Sequence, residues 1–279
     1  MEVRKPVVAG YFYEAERKLL EEQIKGCFLC EHGPGSLPSV KKGSRKIVGL
    51  IVPHAGYAYS GPVAAHSYYS LAIDGIPETF IIIGPNHTGA GSPVAVMKEG
   101  RWSTPLGEAV IDTSIAEELV DNKLIYEDPY AHAYEHSVEV QLPFLQFLYK
   151  KVKFVPVCML DQSFEACVEL SDAILRAIEG KDVVVIASSD FSHYEPYHIA
   201  YSKDAKAIET IKALDAKKFY DRVAKLDISI CGYGPITTMM LFSKKVGAKS
   251  CEVIKYATSG DITGERGTVV GYCSAKVVK

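Results

Sequence analysis

Residues 79–89, TFIIIGPNHTG, join an apolar run of strand length to a turn that carries a histidine. Such a run is typical of a central strand that is covered on both faces of a sheet. Similar runs alternate along the chain with longer amphipathic stretches, which predicts an α/β fold in which strands are layered with helices. The predicted strands are Lys46–Val52, Thr79–Ile83, Lys153–Cys158, Asp182–Ala187, Cys251–Ala257 and Thr268–Val278.

The amphipathic stretches predict helices, and Asp112 and Ser163 are suited to cap two of them. A segment rich in Gly, Pro, Ser and Lys, Glu31–Arg45, is the best candidate for a long loop, but the sequence before it is too short to make a domain. We therefore expect one domain. The predicted helices are Glu14–Phe28, Pro62–Ile73, Thr113–Asn122, His136–Tyr149, Phe164–Ile178, Ser202–Leu214, Ala216–Val223 and Pro235–Lys245.

Composition narrows the class of protein. The chain has 279 residues, of which 48% are hydrophobic and 23% charged, and these values exclude a disordered, collagen-like or coiled-coil chain. Its net charge of −3 gives no strong field that would attract nucleic acid or an anionic membrane. No apolar run approaches the roughly 18 residues of a membrane-spanning helix. Because residues 1–6 lack the apolar block of a secretory signal, we expect a cytoplasmic protein.

The seven cysteines form no evident framework. Their number is odd and their spacing sparse, so at least one thiol must be free and a disulfide network is not expected. Cys27 and Cys30 form a CxxC pair, but no second pair lies at the spacing of a zinc ribbon. We therefore interpret both as structural thiols.

Three of the eight histidines follow predicted strands. His54 lies in VPHAGYAYSG, His87 in GPNHTG and His193 in SSDFSHYE, and loops after the carboxyl ends of strands are where α/β sheets bind ligands. Neutral imidazole is a ligand for iron, copper or zinc, and an acid or a thiolate can complete the set. The candidates for that third ligand are Asp190 and Cys231, the latter in ISICGYGPITT ahead of a predicted helix.

Six motifs in a fixed order, VAGYFYE, VPHAGYAYSG, GPNHTG, EHSVEVQLPFL, SSDFSHYE and CGYGP, resemble the Memo family. Its members include relatives of the animal mediator of cell motility and protein B of the AmmeMemoRadiSam system. The resemblance extends from Val8 to about Tyr272. It implies a single layered α/β/α domain over residues 1–279 with a mostly central sheet. That fold is similar to the class III extradiol (LigB-like) dioxygenases, non-haem iron enzymes that open catechol rings.

Carried over residue by residue, the resemblance implies that His54, His87 and Cys231 bind the metal and that His193 is the catalytic acid and base. The dioxygenases have a carboxylate where this chain has Cys231. A thiolate is softer, so copper or a differently tuned iron is favoured, zinc is a further option, and ordinary extradiol cleavage is less favoured than other redox activity. On this interpretation Asp190 orients or charge-pairs His193, whereas the alternative for Asp190 is an Asx-turn or a cap after the strand.

His132, Glu135 and His136 literally match HxxEH, the inverted zinc-protease signature, which offers a hydrolase interpretation. That site needs one helix through both histidines. Asp128 and Pro129 precede the motif, and the apolar spacing beyond it predicts that the helix begins at about His136. In the Memo-like interpretation Glu135 and His136 line the pocket and bind substrate or support the metal ligands.

Aromatic residues near the motifs are candidates for pocket walls. Tyr57 and Tyr59 follow His54, and Tyr11 and Phe12 lie near the start of the chain, although core packing explains each of them equally well. We expect the pocket to bind an unidentified small molecule or peptide. The family also implies association with AMMECR-type and radical-SAM proteins.

Two function classes remain open at this stage. One is a metal-dependent, dioxygenase-like oxidoreductase, and the other is a catalytically silent module that recognises a peptide or partner protein through the same pocket. The sequence contains neither GxxxxGK[ST] nor GxGxxG after a strand, so no nucleotide cofactor is expected. The Gly-rich segment SGDITGERG, residues 259–267, is predicted to form a hairpin or loop before the last strand, or alternatively to border the pocket.

Overall fold

The strands assemble into one twelve-stranded sheet in the computed structural model, which describes residues 3–121 and 123–279. Helices flank the sheet in a layered α/β/α arrangement, which confirms the predicted fold class. The strands are β1 (Val3–Arg4), β2 (Ile47–Val52), β3 (Thr79–Pro85), β4 (Val94–Val96), β5 (Arg101–Thr104), β6 (Gly107–Ile111), β7 (Ile125–Glu127), β8 (Lys153–Met159), β9 (Val183–Ser188), β10 (His193–Glu195), β11 (Ser250–Thr258) and β12 (Val269–Val278).

The central strands are parallel and end side by side. The order across the sheet is β1-β5-β6-β8-β3-β9-β2-β12-β10, with β11 paired to β12 and β4 paired to β7 and β8. Strand β9 lies between β3 and β2, and Ala187 is in register with both Ile83 and Ile51. The loops that follow these three parallel strands therefore leave the sheet at one edge, which is where ligand sites of such sheets form.

The helices are α1 (Arg17–Leu29), α2 (Tyr57–Asp74), α3 (Thr113–Leu119), α4 (Pro129–His132), α5 (Leu142–Leu148), α6 (Phe164–Ala177), α7 (Tyr197–Lys212), α8 (Ala216–Lys225), α9 (Tyr233–Lys245) and α10 (Ser259–Thr263). Helix α2 packs against β2 and β12, and α9 packs against β2, β3 and β9. Gly49 of β2 allows the close approach of α9, because a side chain there would overlap the sulfur of Met239.

All six predicted strands are confirmed, with ends shifted by at most two residues. The short strands β1, β4, β5, β6, β7 and β10 were not predicted, because segments of two to five residues carry little periodicity of their own. These short strands extend the sheet at its margins, outside the four parallel strands β8, β3, β9 and β2.

Three helix predictions are wrong at their starts. The segment predicted as one helix from His136 begins instead with a 3₁₀ turn at Glu139–Gln141, and α5 starts only at Leu142. Helices α2 and α7 each begin five residues before their predicted starts at Pro62 and Ser202. Pro62 therefore lies inside α2, where it has no N–H to donate to the carbonyl of residue 58.

Two further segments differ from prediction. The helix expected to reach Asn122 ends at Leu119, and Asn122 itself lies outside the described residues. The Gly-rich segment 259–267, predicted as a hairpin or loop, opens with the short helix α10. A capping box explains this helix, because the side chains of Thr258 and Asp261 each bond the other residue's backbone N–H.

The seven cysteines, all within the described residues, are free thiols. Cys27 is buried and its sulfur lies 3.8 Å from the carbonyl oxygen of Tyr57, whereas Cys30 is exposed at the end of α1. Over the two described ranges of the chain, no helix combines the length and the apolar character needed to cross a membrane.

Candidate metal centre

Three histidines meet at the edge of the sheet where β2 and β3 end. His54 follows β2, His87 follows β3, and His136 lies between α4 and the 3₁₀ turn. One ring nitrogen from each lies within 4.8 Å of those from the other two. The ring centroids are 5.1 Å apart for His54 and His87 and 4.7 Å apart for His87 and His136. This is the separation expected of side chains that share one small ligand.

The tautomer of His54 follows from its hydrogen bonds. Its Nδ1 lies 2.8 Å from Ser188 Oγ, and that hydroxyl donates its only proton to the carbonyl of Ser137 at 2.7 Å. Ser188 Oγ must therefore accept a proton from Nδ1, which leaves Nε2 of His54 with a free lone pair. Gln141 Nε2 also donates to Ser188 Oγ at 2.8 Å. Burial lowers the pKa of His54 well below its ordinary value, and the neighbouring rings lower it further, so the ring is neutral.

Glu135 orients His87 in the same way. Its carboxylate lies 2.9 Å from His87 Nδ1 and can only accept, so His87 Nε2 also keeps a free lone pair. The carboxylate also accepts the backbone N–H groups of His87, His136 and Ser137. Burial on its own would raise the pKa of Glu135, but the hydrogen bond from His87 and the adjacent rings lower it to about 2. Glu135 is therefore an anion at neutral pH.

His136 belongs to the cluster, although the sequence placed it only in the pocket lining. Its ring stacks on His87 and meets the ring of Phe12 edge-on at 4.8 Å. Burial lowers the pKa of His136, so its ring is neutral and has a lone pair to donate. The sequence contained a signal for this role. His136 directly follows Glu135, whose carboxylate contacts the ring of His87, so the two imidazoles must lie close together.

Cys231 reaches the cluster at His54. Its Sγ lies 3.3 Å from His54 Nε2 and 3.3 Å from the backbone nitrogen of Asp190, which donates to it. Gln162 holds this loop, since its amide donates to the Cys231 carbonyl and accepts from Gly234 N. Cys231 lies outside the set of three donors within 4.8 Å of one another. Burial and the nearby Asp190 raise the pKa of the Cys231 thiol, so a metal would have to displace its proton.

Asp190 and His193 have partners that the sequence did not identify. Asp190 Oδ1 accepts the backbone N–H of His54 at 2.8 Å, and burial raises the pKa of Asp190 to about 6. His193 Nδ1 donates to the carbonyl of Ser229 at 2.8 Å, and Ser229 Oγ accepts the His193 backbone N–H. Ser229 therefore orients His193, while Asp190 supports the loop of His54.

Tyr57 and Tyr59, the two tyrosines predicted to line the pocket, lie in different environments. Tyr57 is 2% exposed, donates its hydroxyl to the Val140 carbonyl and packs 4.9 Å from Phe144, so the structure places it in the core instead. Its hydroxyl finds a partner there, which removes the cost of burial. Tyr59 is 47% exposed and lines a shallow cavity of about 220 Å³ together with Tyr11 and Phe12.

The helical arrangement that the protease motif requires is absent from the segment 129–141, which the structure describes throughout. Helix α4 ends at His132, and His136 lies beyond it. His132 is fully buried, with its ring 5.6 Å from that of Trp102. The two histidines of HxxEH therefore do not share a helix face, and the hydrolase interpretation is wrong.

Comparisons with known proteins agree with this architecture. A family model described as "Memo-like protein" matches residues 4–276. The chain is 47% identical over 273 residues to a MEMO1 family protein of Methanothermobacter thermautotrophicus, covering 97% of this chain and 98% of that protein. It is 48% identical over 281 residues to a MEMO1 family protein of Sulfurisphaera tokodaii, covering 98% and 99%.

A solved structure supports the fold alone. The crystal structure of an uncharacterized protein from Escherichia coli K12 is similar, with a TM-score of 0.53 at 14% sequence identity. The match covers 82% of this chain and 99% of that one. Since the family match and the relatives each span nearly the whole chain, this chain belongs to the Memo-like protein family.

Proposed function

We propose that this chain binds iron or copper through His54, His87 and a third side chain. The observation that carries the proposal is the matched orientation of two imidazoles. Each has its Nδ1 proton held by an acceptor, Ser188 or Glu135, which leaves Nε2 free to bind a metal. Metal-binding histidines in proteins are supported in this manner, by a carboxylate, carbonyl or other acceptor behind the ring.

The donor types fit a transition metal. Neutral imidazoles and a thiol suit iron, copper or zinc, whereas magnesium and calcium prefer oxygen ligands. His54 and His136 have lowered pKa values because they are buried, so protons do not compete with a metal at neutral pH. His54 and His136 can therefore bind such an ion without losing a proton, whereas Cys231 would have to release its thiol proton.

We propose Cys231 as the third ligand and His136 as its alternative. Cys231 Sγ and His54 Nε2 are 3.3 Å apart, close to the roughly 3.5 Å that separates sulfur and nitrogen ligands around a tetrahedral ion. His136 is favoured by the mutual proximity of the three imidazoles. The two alternatives differ in ligand softness, so they also predict different preferences between copper and iron.

The surrounding residues have distinct tasks in the proposed activity. A bound iron or copper would supply redox chemistry of the dioxygenase-like kind toward a small molecule that binds at the site. His193 can accept a proton from that molecule at Nε2, because its Nδ1 proton is engaged by Ser229. Asp190 holds the His54 backbone, and Phe12 forms an apolar wall beside His136.

Metal analysis of protein purified without oxygen tests the proposal. We expect about one iron or copper ion per chain, with loss of the metal in His54→Ala and His87→Ala. Comparison of Cys231→Ser with His136→Ala identifies the third ligand, because only loss of the true ligand weakens binding strongly. His198→Ala, an exposed histidine on α7, is the matched control. Metal content that is unchanged in His54→Ala and His87→Ala would contradict the proposal.

The alternative function, a binding module without catalysis, is favoured by the exposed aromatic rings of Tyr11 and Tyr59 beside the cavity. It predicts capture of a peptide or protein that survives chelation and is lost when Tyr59 is replaced by Ala. The redox proposal predicts oxygen consumption with a catechol that requires metal. In His193→Ala this consumption should fall while the metal content stays the same.

A further inference from the structure

Asp204 of α7 is a buried carboxylate next to the loop that carries His193. Within the described ranges of the chain, no Lys or Arg lies at salt-bridge distance from it. Its Oδ1 accepts the Ser192 hydroxyl at 2.6 Å and the Ser192 backbone N–H at 3.2 Å, and its Oδ2 accepts the hydroxyl of Tyr256. Burial of a carboxylate without a cation is unfavourable. The presence of Asp204 beside Ser192 therefore needs an explanation other than packing.

The chain accommodates Asp204 at one defined place. A side chain at position 271 would overlap Asp204 Oδ2, so the glycine at this point of β12 makes room for the carboxylate. The same Gly271 bonds the loop on both sides of Ser192. Its nitrogen donates to the Ser192 carbonyl, and its carbonyl accepts from the nitrogen of Phe191, both at 2.8 Å. Ser192 is therefore held through both its backbone and its side chain.

The residues after Ser192 need this support. His193 is bound to Ser229 through its backbone N–H and its ring Nδ1. Tyr194 follows with a φ of 57°, in the left-handed region that is unfavourable for residues other than glycine. The contacts on either side must offset that strain, and those on the Ser192 side converge on Asp204.

Charge also couples Asp204 to His193. Burial raises the pKa of Asp204 to about 6, while hydrogen bonds from Ser192 and Tyr256 and the proximity of His193 lower it. The two side chains are therefore close enough to interact electrostatically. The other titratable groups that face Asp204 are Tyr256 on β11 and Cys273 on β12. Those that face His193 from other elements are Asp190 and His54.

We propose that Asp204 is the positioning residue of His193: through Ser192 it fixes the loop that aims the imidazole. This role rests on the proposed function, in which His193 accepts and returns a proton. The sequence predicts a similar role for Asp190, whose Oδ1 accepts the backbone N–H of His54 and whose carboxylate also interacts with His193. Asp204 is reached only through the fold, since it lies on α7 and acts through Ser192.

Nitrogen-15 NMR of the His193 ring in the full-length, chelator-treated protein tests this proposal. The ring signals are assigned by their loss in His193→Ala. Asp204→Asn keeps an oxygen acceptor for Ser192 but removes the charge. We expect the Nδ1–H tautomer of His193 to be retained in this variant, because Ser192 keeps its acceptor. Asp204→Ala removes the acceptor as well, so the tautomer should become mixed.

Two variants keep the test decisive. Tyr256→Phe removes one donor to Asp204 but leaves the hydrogen bonds from Ser192, so it should fold and keep the Nδ1–H tautomer of His193. Asp261→Asn is the matched control, because Asp261 also accepts from two tyrosines but is not bonded to Ser192. An Nδ1–H tautomer that stays unmixed in Asp204→Ala would overturn the proposal. Since metal is absent throughout, failure of metal binding is a separate result.

Discussion

Glu135 and Asp204 are both buried carboxylates that support a histidine at the sheet edge, yet they differ in charge behaviour. Glu135 is 1% exposed and Asp204 is 0% exposed. The pKa of Glu135 is lowered to about 2, in spite of its burial, by the hydrogen bond from His87, by the adjacent rings and by backbone donors. The pKa of Asp204 is raised to about 6 by burial that its fewer donors do not offset.

The difference lies in the donors that each carboxylate receives. Glu135 accepts three backbone N–H groups and one imidazole N–H. Asp204 accepts two hydroxyls and one backbone N–H, from Ser192 and Tyr256. Burial alone therefore does not determine whether a carboxylate is ionised. Glu135 is an anion at neutral pH beside the candidate metal centre, and Asp204 changes charge near pH 6.

The largest expected effect comes from removal of Glu135, the carboxylate that accepts more hydrogen bonds. Glu135→Ala leaves the N–H groups of His87, His136 and Ser137 without their acceptor, so we expect the free energy of unfolding to fall by about 3–5 kcal/mol. Urea denaturation measures this. Glu127→Ala, which removes an exposed partner of Lys98, is the control and should cost under about 1 kcal/mol. A loss in Glu135→Ala no larger than in the control would contradict this account of the site.

The two carboxylates should give stability profiles of opposite slope. Glu135 has a folded-state pKa below its ordinary 4.5, so it stabilises the fold above pH 4.5, and this contribution is lost as the pH falls through 2. Asp204 has a folded-state pKa above its ordinary 3.8, so its contribution is present below pH 3.8 and is lost as the pH rises through 6.

Urea unfolding of chelator-treated protein across pH 2–8 separates these slopes. Relative to Asp204→Asn, the wild type should lose about 3 kcal/mol between pH 4 and pH 7. Relative to Glu135→Gln, it should gain about 3 kcal/mol between pH 2 and pH 5. Parallel curves for either pair would show that the donors do not set the charge state as described.

A neutral acceptor should matter less than a charged one. Ser188 supports His54 as Glu135 supports His87, so Ser188→Ala should weaken metal binding by about 10–100-fold while the protein stays folded. A competitive chelator titration measures the affinity. Ser171→Ala, which removes a buried hydroxyl of α6 that donates to the Val168 carbonyl, is the control. Equal affinities in these two variants would remove Ser188 from the support of the metal ligand.

The smallest effect is expected at Asp261, which accepts hydroxyls from Tyr197 and Tyr201 but is only partly buried. Burial would raise its pKa, but the Thr258 backbone and the two tyrosines lower it. Asp261→Asn should therefore change the unfolding free energy by about 1 kcal/mol or less, with no slope between pH 5 and pH 8. If the wild type lost stability with rising pH relative to Asp261→Asn, as it should relative to Asp204→Asn, then contact with tyrosines, and not burial, would control the charge of these carboxylates.

Local signals explain what the sequence could predict. Apolar runs followed by turn residues place His54 and His87 at strand ends, and both then meet at the sheet edge. The motif order points to Cys231, which does contact His54. These inferences needed no knowledge of distant contacts, because the parallel sheet brings the ends of its strands together by itself.

The partners of these residues could not be predicted in the same way. Ser188, Ser229 and Asp204 are common residue types whose roles depend on which loop lies opposite. Ser229, for example, is 36 residues from the His193 ring that it orients. The helix prediction for the segment after His136 was wrong for a related reason. Buried hydrogen bonds of Glu139 to the N-terminal residues Arg4 and Tyr13 hold it in a shape that its amphipathic pattern does not encode.

The spread of the centre along the chain has a consequence for how the protein matures. His54 and Cys231 are in contact although 177 residues separate them, and the β2–β9 pairing that places the loops of His54 and Asp190 side by side is also non-local. Such long-range parallel pairing forms late and slowly during folding. A nascent chain therefore exposes His54 and His87 well before Cys231 has been synthesised. The proposed ligand set of His54, His87 and Cys231 is therefore complete only after residue 231 has been synthesised and the sheet has assembled.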